Sequence, residues 1–579
     1  MDTRISHSVL HQANFGNVGL AFDMRTLTIF ASRFWAARNH YASFGRSIIL
    51  RLMAQELSRA ARLTGFVKRI RWWLPAAILI LALANVIRLR SSAELDSNSR
   101  GMQIGLTAMA SLALLVVWFT FLSRLRWRVR LAGLLLLALL VFGLTRLLRF
   151  DGAINGSGTP VVVWKWKPKR TGNIGALKMI APPEATNLET GIVEDSGYLG
   201  PARNGVLEKV SLNPDWTSHP PQQLWRQPIG LGWSSFAISG PRAFTQEQRG
   251  ENELIVCYQV ASGSILWAHT NHVRFSETMG GDGPRATPTV SGGRLYALGG
   301  TGILDCLDAA SGKLLWSRDT LKENGLPNLV FGKACSPLVF DDLVVVNGGE
   351  TNGPTLLAYH LNDGSAAWRA GSDKASYSSP TLVTLAGRRQ IVSINGGSVT
   401  GHDPACGAVL WSYAWSGDWP KCAQPIALPT DRLFVAASFN AGSVLLQISA
   451  APDGKLSVAE KWKNRHMKSE FSNIVTRDGF AYGLDDGILA CIDLATGERK
   501  WKDGHYGHGH VLLVGDLLLV QTEQGPVAVV EAKPTGFREM ANFPALQSKT
   551  WNVPVVAGDC LLVRNDQDAA CYKLPLAQP

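Results

Sequence analysis

Eight short segments, each at the entrance to a β-rich run, share one pattern: WSSF (233–236), RATP (285–288), ACSP (334–337), YSSP (377–380), CAQP (422–425), FSNI (471–474), HGHV (508–511) and WNVP (551–554). The second letter is small almost throughout: Ser234, Ala286, Cys335, Ser378, Ala423, Ser472 and Gly509, with Asn552 the largest. Small residues there suit strands that crowd near an axis. The first letter varies freely: Trp233, Arg285, Ala334, Tyr377, Cys422, Phe471, His508 and Trp551. A position whose setting repeats while its chemistry varies is a candidate for binding, because packing alone favours one residue type. With the neighbouring Lys333, Lys421 and Lys468, these residues are expected to rim one mouth of a channel. The candidate binding set is Trp233, Arg285, Lys333, Tyr377, Lys421, Phe471, His508, His510 and Trp551. The competing reading is solvated loop ends around a water-filled hole.

Other clusters carry weaker chemistry. In HYGHGH, His508 and His510 share one face of a strand, with His505 nearby, a spacing that can bind a transition metal but also fits a polar channel strand. GGDGPR (280–285) is glycine-rich and ends in arginine, so its backbone amides could hold an anion. It lacks the Gly-Lys-Ser/Thr ending of a phosphate loop. TQEQRG (245–250) reads as a charged, solvated hairpin. The eight cysteines form no CxxC, no adjacent pair and no CxxCH. Cys257, Cys306 and Cys491 recur at one position of a repeat, and Cys571 follows the same strand pattern, as small buried hydrophobes do.

The elements that must hold these residues are written in that repeat. CYQVASGSILW (257–267), CLDAASGKLLW (306–316), AYHLNDGSAAW (358–368), GHDPACGAVLW (401–411) and CIDLATGERKW (491–501) all place glycine seventh and tryptophan eleventh. The glycines are Gly263, Gly312, Gly364, Gly407 and Gly497; the tryptophans are Trp267, Trp316, Trp368, Trp411 and Trp501. Glycine accepts positive φ in a tight turn without steric cost. The returning ring is expected to wedge against the next unit and bury a large apolar area. Including Trp225 and Trp462, successive tryptophans stand 42, 49, 52, 43, 51 and 39 residues apart, and a degraded phrase leads to Phe543. Units of about 45 residues, each with four short strands, are propeller blades. The fold class expected is all-β, an eight-bladed β-propeller of four-stranded antiparallel blades, with the first and last segments sharing a blade.

The chain carries a formal net charge of +12. Residues 1–150 hold 20 Lys+Arg against 5 Asp+Glu, and the remainder 37 against 40. The basicity thus belongs to the N-terminal part and marks a membrane rather than a nucleic acid. Three apolar runs there, about 72–87, 104–122 and 131–144, are expected to be transmembrane helices within 71–150. The first lies too deep in the chain, and lacks the cleavage pattern, for a removable signal peptide. Arg59, Arg62, Lys68, Arg69 and Arg71 precede the first run, and Arg124, Arg126, Arg128 and Arg130 lie between the second and third. The positive-inside rule then puts the N-terminus in the cytoplasm and everything after 150 on the other side. Residues 1–70 read as a basic cytoplasmic segment, in which Met53 is an alternative start to Met1. Residues 151–197 read as a linker, and 198–579 as the propeller.

The repeated phrase resembles the tryptophan-docking repeat of the pyrroloquinoline-quinone-like propellers, a family that includes quinoprotein alcohol dehydrogenases and the cofactor-free lipoprotein of outer-membrane-protein assembly. The resemblance spans about 198–575 and implies blades around a central channel. It leaves two functions open. One is a binding or scaffold module at the cell envelope, without cofactor, anchored in the inner membrane and engaging an envelope protein or extended polymer; membrane lipid is a partner and nucleic acid is not. The alternative is a membrane-bound dehydrogenase using pyrroloquinoline quinone (PQQ) with calcium. The resemblance would then call for a Cys-Cys pair, which the sequence lacks, and for a Glu, Asn and Asp calcium site. Glu247, Asp282, Asn473 and Asp485 offer the atoms, but their spacing does not mark a hard-cation site.

Overall fold

The structure is a computed structural model that describes residues 71–92, 95–167, 196–415, 419–439 and 441–577, together with Gln55 and Gly417. The rest of the expected N-terminal segment and residues 168–195 of the expected linker lie outside the described residues. Two compact units are present. One comprises Met1–Ala77 and Leu115–Ala132, the other Ile78–Leu114 and Gly133–Pro579. Within the first, the Trp72 and Trp118 rings lie 6.0 Å apart and Arg130 donates to the Thr120 carbonyl at 2.7 Å.

Three helices are long and apolar enough to cross a membrane: α1 (Trp73–Ser91), α2 (Ser97–Val117, continued by a π-turn to Leu122) and α3 (Trp127–Leu147). Each outlasts the apolar run that marks it in the sequence. For α2 the cause is a cap: Asp96 accepts the Ser99 N–H at 2.8 Å, so helix forms through the polar SNSRG well before Ile104. Directly after α3, strand β1 (Leu148–Ala153) pairs antiparallel with β2 (Pro160–Trp164). The first part of the expected linker is therefore a hairpin, and its PVVVW run is the β-branched strand.

The remainder is a ring of eight antiparallel blades. Blades 1 to 7 occupy 237–271, 289–319, 338–370, 381–414, 426–464, 474–505 and 510–543. Blade 8 takes three strands from 555–573 and its outermost strand from Gln222–Pro228. The N- and C-terminal segments thus share a blade and close the wheel. Arg564, 1% exposed, locks that junction by donating to Thr245 Oγ1 in blade 1 at 2.6 Å and to the Gly230 carbonyl, in the connection from blade 8 to blade 1, at 3.0 Å.

The docking tryptophans explain both conserved letters of the phrase. Trp267 donates its Nε1–H to Ala309 in the next blade at 3.3 Å, Trp316 to Leu361 at 2.9 Å and Trp501 to Lys533 at 2.8 Å. Five of the rings lie on the next turn's glycine, as where a Cβ on Gly312 would stand 2.5 Å from the Trp267 ring and one on Gly364 2.6 Å from Trp316; Gly536, in the turn after Trp501, meets no ring. Gly312 and Gly364 have φ of +73° and +70°. They are required twice, by backbone conformation and by the neighbouring ring. Opposite six of the tryptophans across the strand pair stands a small residue, Cys257, Cys306, Ala358, Gly401, Cys491 or Cys571, whereas Trp462 faces Leu445. The four cysteines are buried and free. Trp411 departs from the rule. Blade 5 offers no glycine turn of this phrase, and Trp411 donates instead to Gln390 of its own blade at 2.5 Å, over a Gly401 whose Cβ would collide with it.

Candidate functional site

The first strands of blades 1, 2 and 3, of blades 4 and 5, and of blades 6 and 7 pack on one another, which places them innermost. Their entry segments converge at one mouth of the channel. The second letters are all buried. The third letters, of which sequence reasoning singled out only His510, form a belt of hydrogen bonds around the axis. Ser235 N–H donates to Thr287 Oγ1 at 3.1 Å, Thr287 N–H to Ser336 Oγ at 3.0 Å, and Ser336 N–H to Ser379 Oγ at 2.9 Å. Farther round, Asn473 accepts the Val511 N–H at 3.0 Å and contacts His510 Nδ1 at 3.2 Å. The signal was available: seven of the eight third letters are polar.

The first letters line a cavity of about 410 Å³. Trp233, Arg285, Tyr377, Phe471 and Trp551 all contribute to its wall, joined by the third letter His510, whereas the first letter His508 does not line it. Trp551 bridges Trp233 and Phe471, with ring centroids 4.8 Å from each. Phe331 and Tyr377 pair at 5.7 Å, and Trp419 stacks on Phe439 at 5.2 Å. Arg285 is spent on its own loop: its guanidinium donates to the Gly283 and Gly281 carbonyls at 2.5 and 2.7 Å and lies over the Phe275 ring. The GGDGPR loop therefore presents carbonyls to a cation rather than amides to an anion.

The lysines are not at the rim. Lys333 is fully buried and donates to the carbonyls of Asn347 and Gly348 and to Asn347 Oδ1, each at 2.5 Å. Lys421, also buried, donates to the Gly396 and Gly417 carbonyls. Lys468 lies 3.7 Å from Asp485. Each ammonium satisfies backbone oxygens or a carboxylate instead of facing a ligand. TQEQRG is likewise interior: Glu247 accepts from Gly230 N–H at 2.5 Å, from Arg249 at 2.9 Å and from Tyr258 at 3.1 Å.

The mouth is roofed by the chain itself. The β1–β2 tip and the start of α2 supply Ala153, Asn155, Gly156, Gly158 and Asn98 to the cavity wall. Gly156 N–H donates to Glu523 Oε1 at 2.5 Å, and Lys549 donates to the Ala153 carbonyl at 3.2 Å. Ser97 gives its N–H and hydroxyl to Asp486, at 3.0 and 2.6 Å. His508 lies beneath the tip: a Cβ on Gly156 would stand 2.6 Å from its ring, and Ser157 Oγ is 3.4 Å from its Nε2. His508 Nδ1 is 3.1 Å from Glu470. His508 thus supports the roof, whereas His510 faces the cavity from the neighbouring register.

Burial sets the electrostatics. It raises the Glu470 carboxyl well above its ordinary range and lowers both histidines, His510 to about 4. It also pushes the Cys422 thiol up, away from a reactive thiolate. Among the described lining residues, Arg285 is the only cationic side chain and Glu470 the only carboxyl. PQQ is a tricarboxylate that needs cations around it and carboxylates for its calcium. An engaged arginine and a single buried carboxyl do not fit that group. The walls fit a large apolar or aromatic group instead.

Eight blades stapled by indoles around a channel define a PQQ-like β-propeller. Within it, residues 221–320 and 251–503 match the family described as outer membrane protein assembly factor BamB. The chain is 23% identical over 358 residues to the outer membrane protein assembly factor BamB of Shewanella oneidensis, covering 58% of this chain and 84% of that protein. It is 23% identical over 256 residues to that of Bordetella pertussis, covering 42% of this chain and 58% of that protein. The crystal structure of BamB from Moraxella catarrhalis is 15% identical, with a TM-score of 0.43, and covers 61% of this chain and 100% of that one.

Proposed function

We propose that this chain is a binding scaffold of the cell envelope: α1–α3 anchor it in the inner membrane, and the propeller stands outside the cytoplasm and engages an envelope protein. One observation carries the reading. The channel mouth holds segments that adjoin apolar helices on both sides, the start of α2 and the hairpin after α3, and leaves an aromatic cavity beneath them. A mouth committed to the protein's own membrane-proximal segments is a mounting. The relatives are named outer membrane protein assembly factors, which supports a protein partner at the envelope. The cavity suits one large apolar side chain of that partner, entering beside the exposed Trp419 and Val330.

A photo-crosslinking residue at Val330 tests this in intact cells. The expected result is a discrete envelope-protein adduct that weakens when Tyr377 and Phe471 become alanine and is absent from a probe at Ser311 on the outer turns. Equal adducts from both sites would contradict it. Dye reduction with alcohols or sugars after adding PQQ and calcium would favour the dehydrogenase instead.

A further inference from the structure

Among the described residues, nothing covers the second face of the hairpin that roofs the channel. Phe150 pairs with Val162 and Leu148 with Trp164 across β1–β2. Phe150, Val162 and Trp164 are 42%, 58% and 48% exposed. Trp166 follows at 67% and stacks on Trp164, centroids 4.7 Å apart and planes 11° apart. A two-stranded ribbon is marginal in water unless something covers it. Its tip is held by Glu523 and Lys549, but its apolar base is open.

The position of that base identifies what covers it. β1 begins at the residue after α3, and the Lys165 N–H donates to the Leu147 carbonyl at 2.8 Å, so the end of the ribbon is bonded to the end of the helix. Trp164 lies opposite the first residue past α3, and Val162 only about 7 Å farther on at the rise of a strand. Lys165 and Lys167 are exposed beside the stacked rings. Indoles flanked by lysines, at the exit of an apolar helix, are the composition of the lipid headgroup zone.

We infer that the Phe150, Val162, Trp164 and Trp166 face of the hairpin lies in the headgroup layer of the bilayer. The hairpin is then a clamp with its base in lipid and its tip in the propeller, fixing the height of the channel mouth above the membrane. The inference rests on the membrane reading of α1–α3, and its test separates the two.

Spin labels are placed singly by Val162→Cys, Leu112→Cys and Ser311→Cys in the full chain carrying Cys406→Ser, reconstituted in phosphatidylcholine–phosphatidylglycerol vesicles. Collision rates with oxygen and with a water-soluble nickel chelate report depth. The label at 162 is expected to give an oxygen-to-nickel ratio between the hydrocarbon value at 112 and the aqueous value at 311. A label at Phe150→Cys should match 162, and one at the half-buried Val163→Cys should not. An aqueous 162 with a lipid-deep 112 would overturn the clamp alone; an aqueous 112 would overturn the membrane reading and the clamp together. A 162 label shielded from both reagents would put a partner protein or second copy on this face and also overturn the clamp.

Discussion

Gly364 and Gly387 have nearly the same φ, +70° and +71°, but a Cβ on Gly364 meets the Trp316 ring at 2.6 Å while one on Gly387 meets open space. Alanine at Gly387 should cost only the conformational strain, about 1 kcal/mol. Alanine at Gly364 should cost clearly more, because the indole of the preceding blade must move as well. Trp316→Ala should lose about 3–5 kcal/mol. Thermal unfolding of the three variants checks the order. A second residue-scale prediction concerns Glu253, 3% exposed, whose carboxyl burial raises from 4.5 to about 7 against opposing bonds from Gly300 and Thr301. The folded state keeps a proton there that the unfolded chain has released. This group's contribution is complete below about pH 4.5 and is lost as pH rises through about 7, a change of roughly 3 kcal/mol. Glu253→Gln should flatten that part of the stability profile, and denaturant titrations at pH 5 and pH 7.5 would show it.

At the scale of elements, the repeat phrase was fully legible. Glycine seventh and tryptophan eleventh announce a turn and a ring, and the structure adds that the two meet across most blade boundaries, though not after Trp411 or Trp501. The first letters stood out in the sequence because their chemistry varies beside a mostly small neighbour, and all of them except His508 line the cavity. The lysines misled because a cation beside a channel reads as a ligand group until the carbonyls around it are known. Those carbonyls belong to Asn347, Gly348, Gly396 and Gly417, at strand ends and in connections. The hairpin was missed for a related reason: PVVVW is a strand signal, but a lone ribbon in a Gly- and Pro-rich stretch has no stable partner in the sequence. Its partners, Glu523, His508 and Lys549, lie more than 300 residues away. Glu523 accepts from Gly156, from His508 N–H at 3.2 Å and from Trp551 Nε1 at 2.8 Å. Glu523→Ala leaves those donors unpaired, at about 1–3 kcal/mol for each buried one. It should release the tip, so that limited proteolysis cuts within 153–158 in the variant and not in the wild type.

At the scale of the whole molecule, positive charge, apolar helices and a near-neutral propeller are segregated along the chain, and the propeller turns the mouth of its channel to the segments next to those helices. The start of α2 and the hairpin after α3 both bond to it. Ser97 and Asp486 mark that docking most directly, with their side chains 2.6 Å apart. Replacing both by cysteine in the full chain, with thiols blocked in intact cells before analysis, tests mounting and compartment at once. The account predicts a 97–486 disulfide formed without added oxidant. Two free thiols open to alkylation would contradict it.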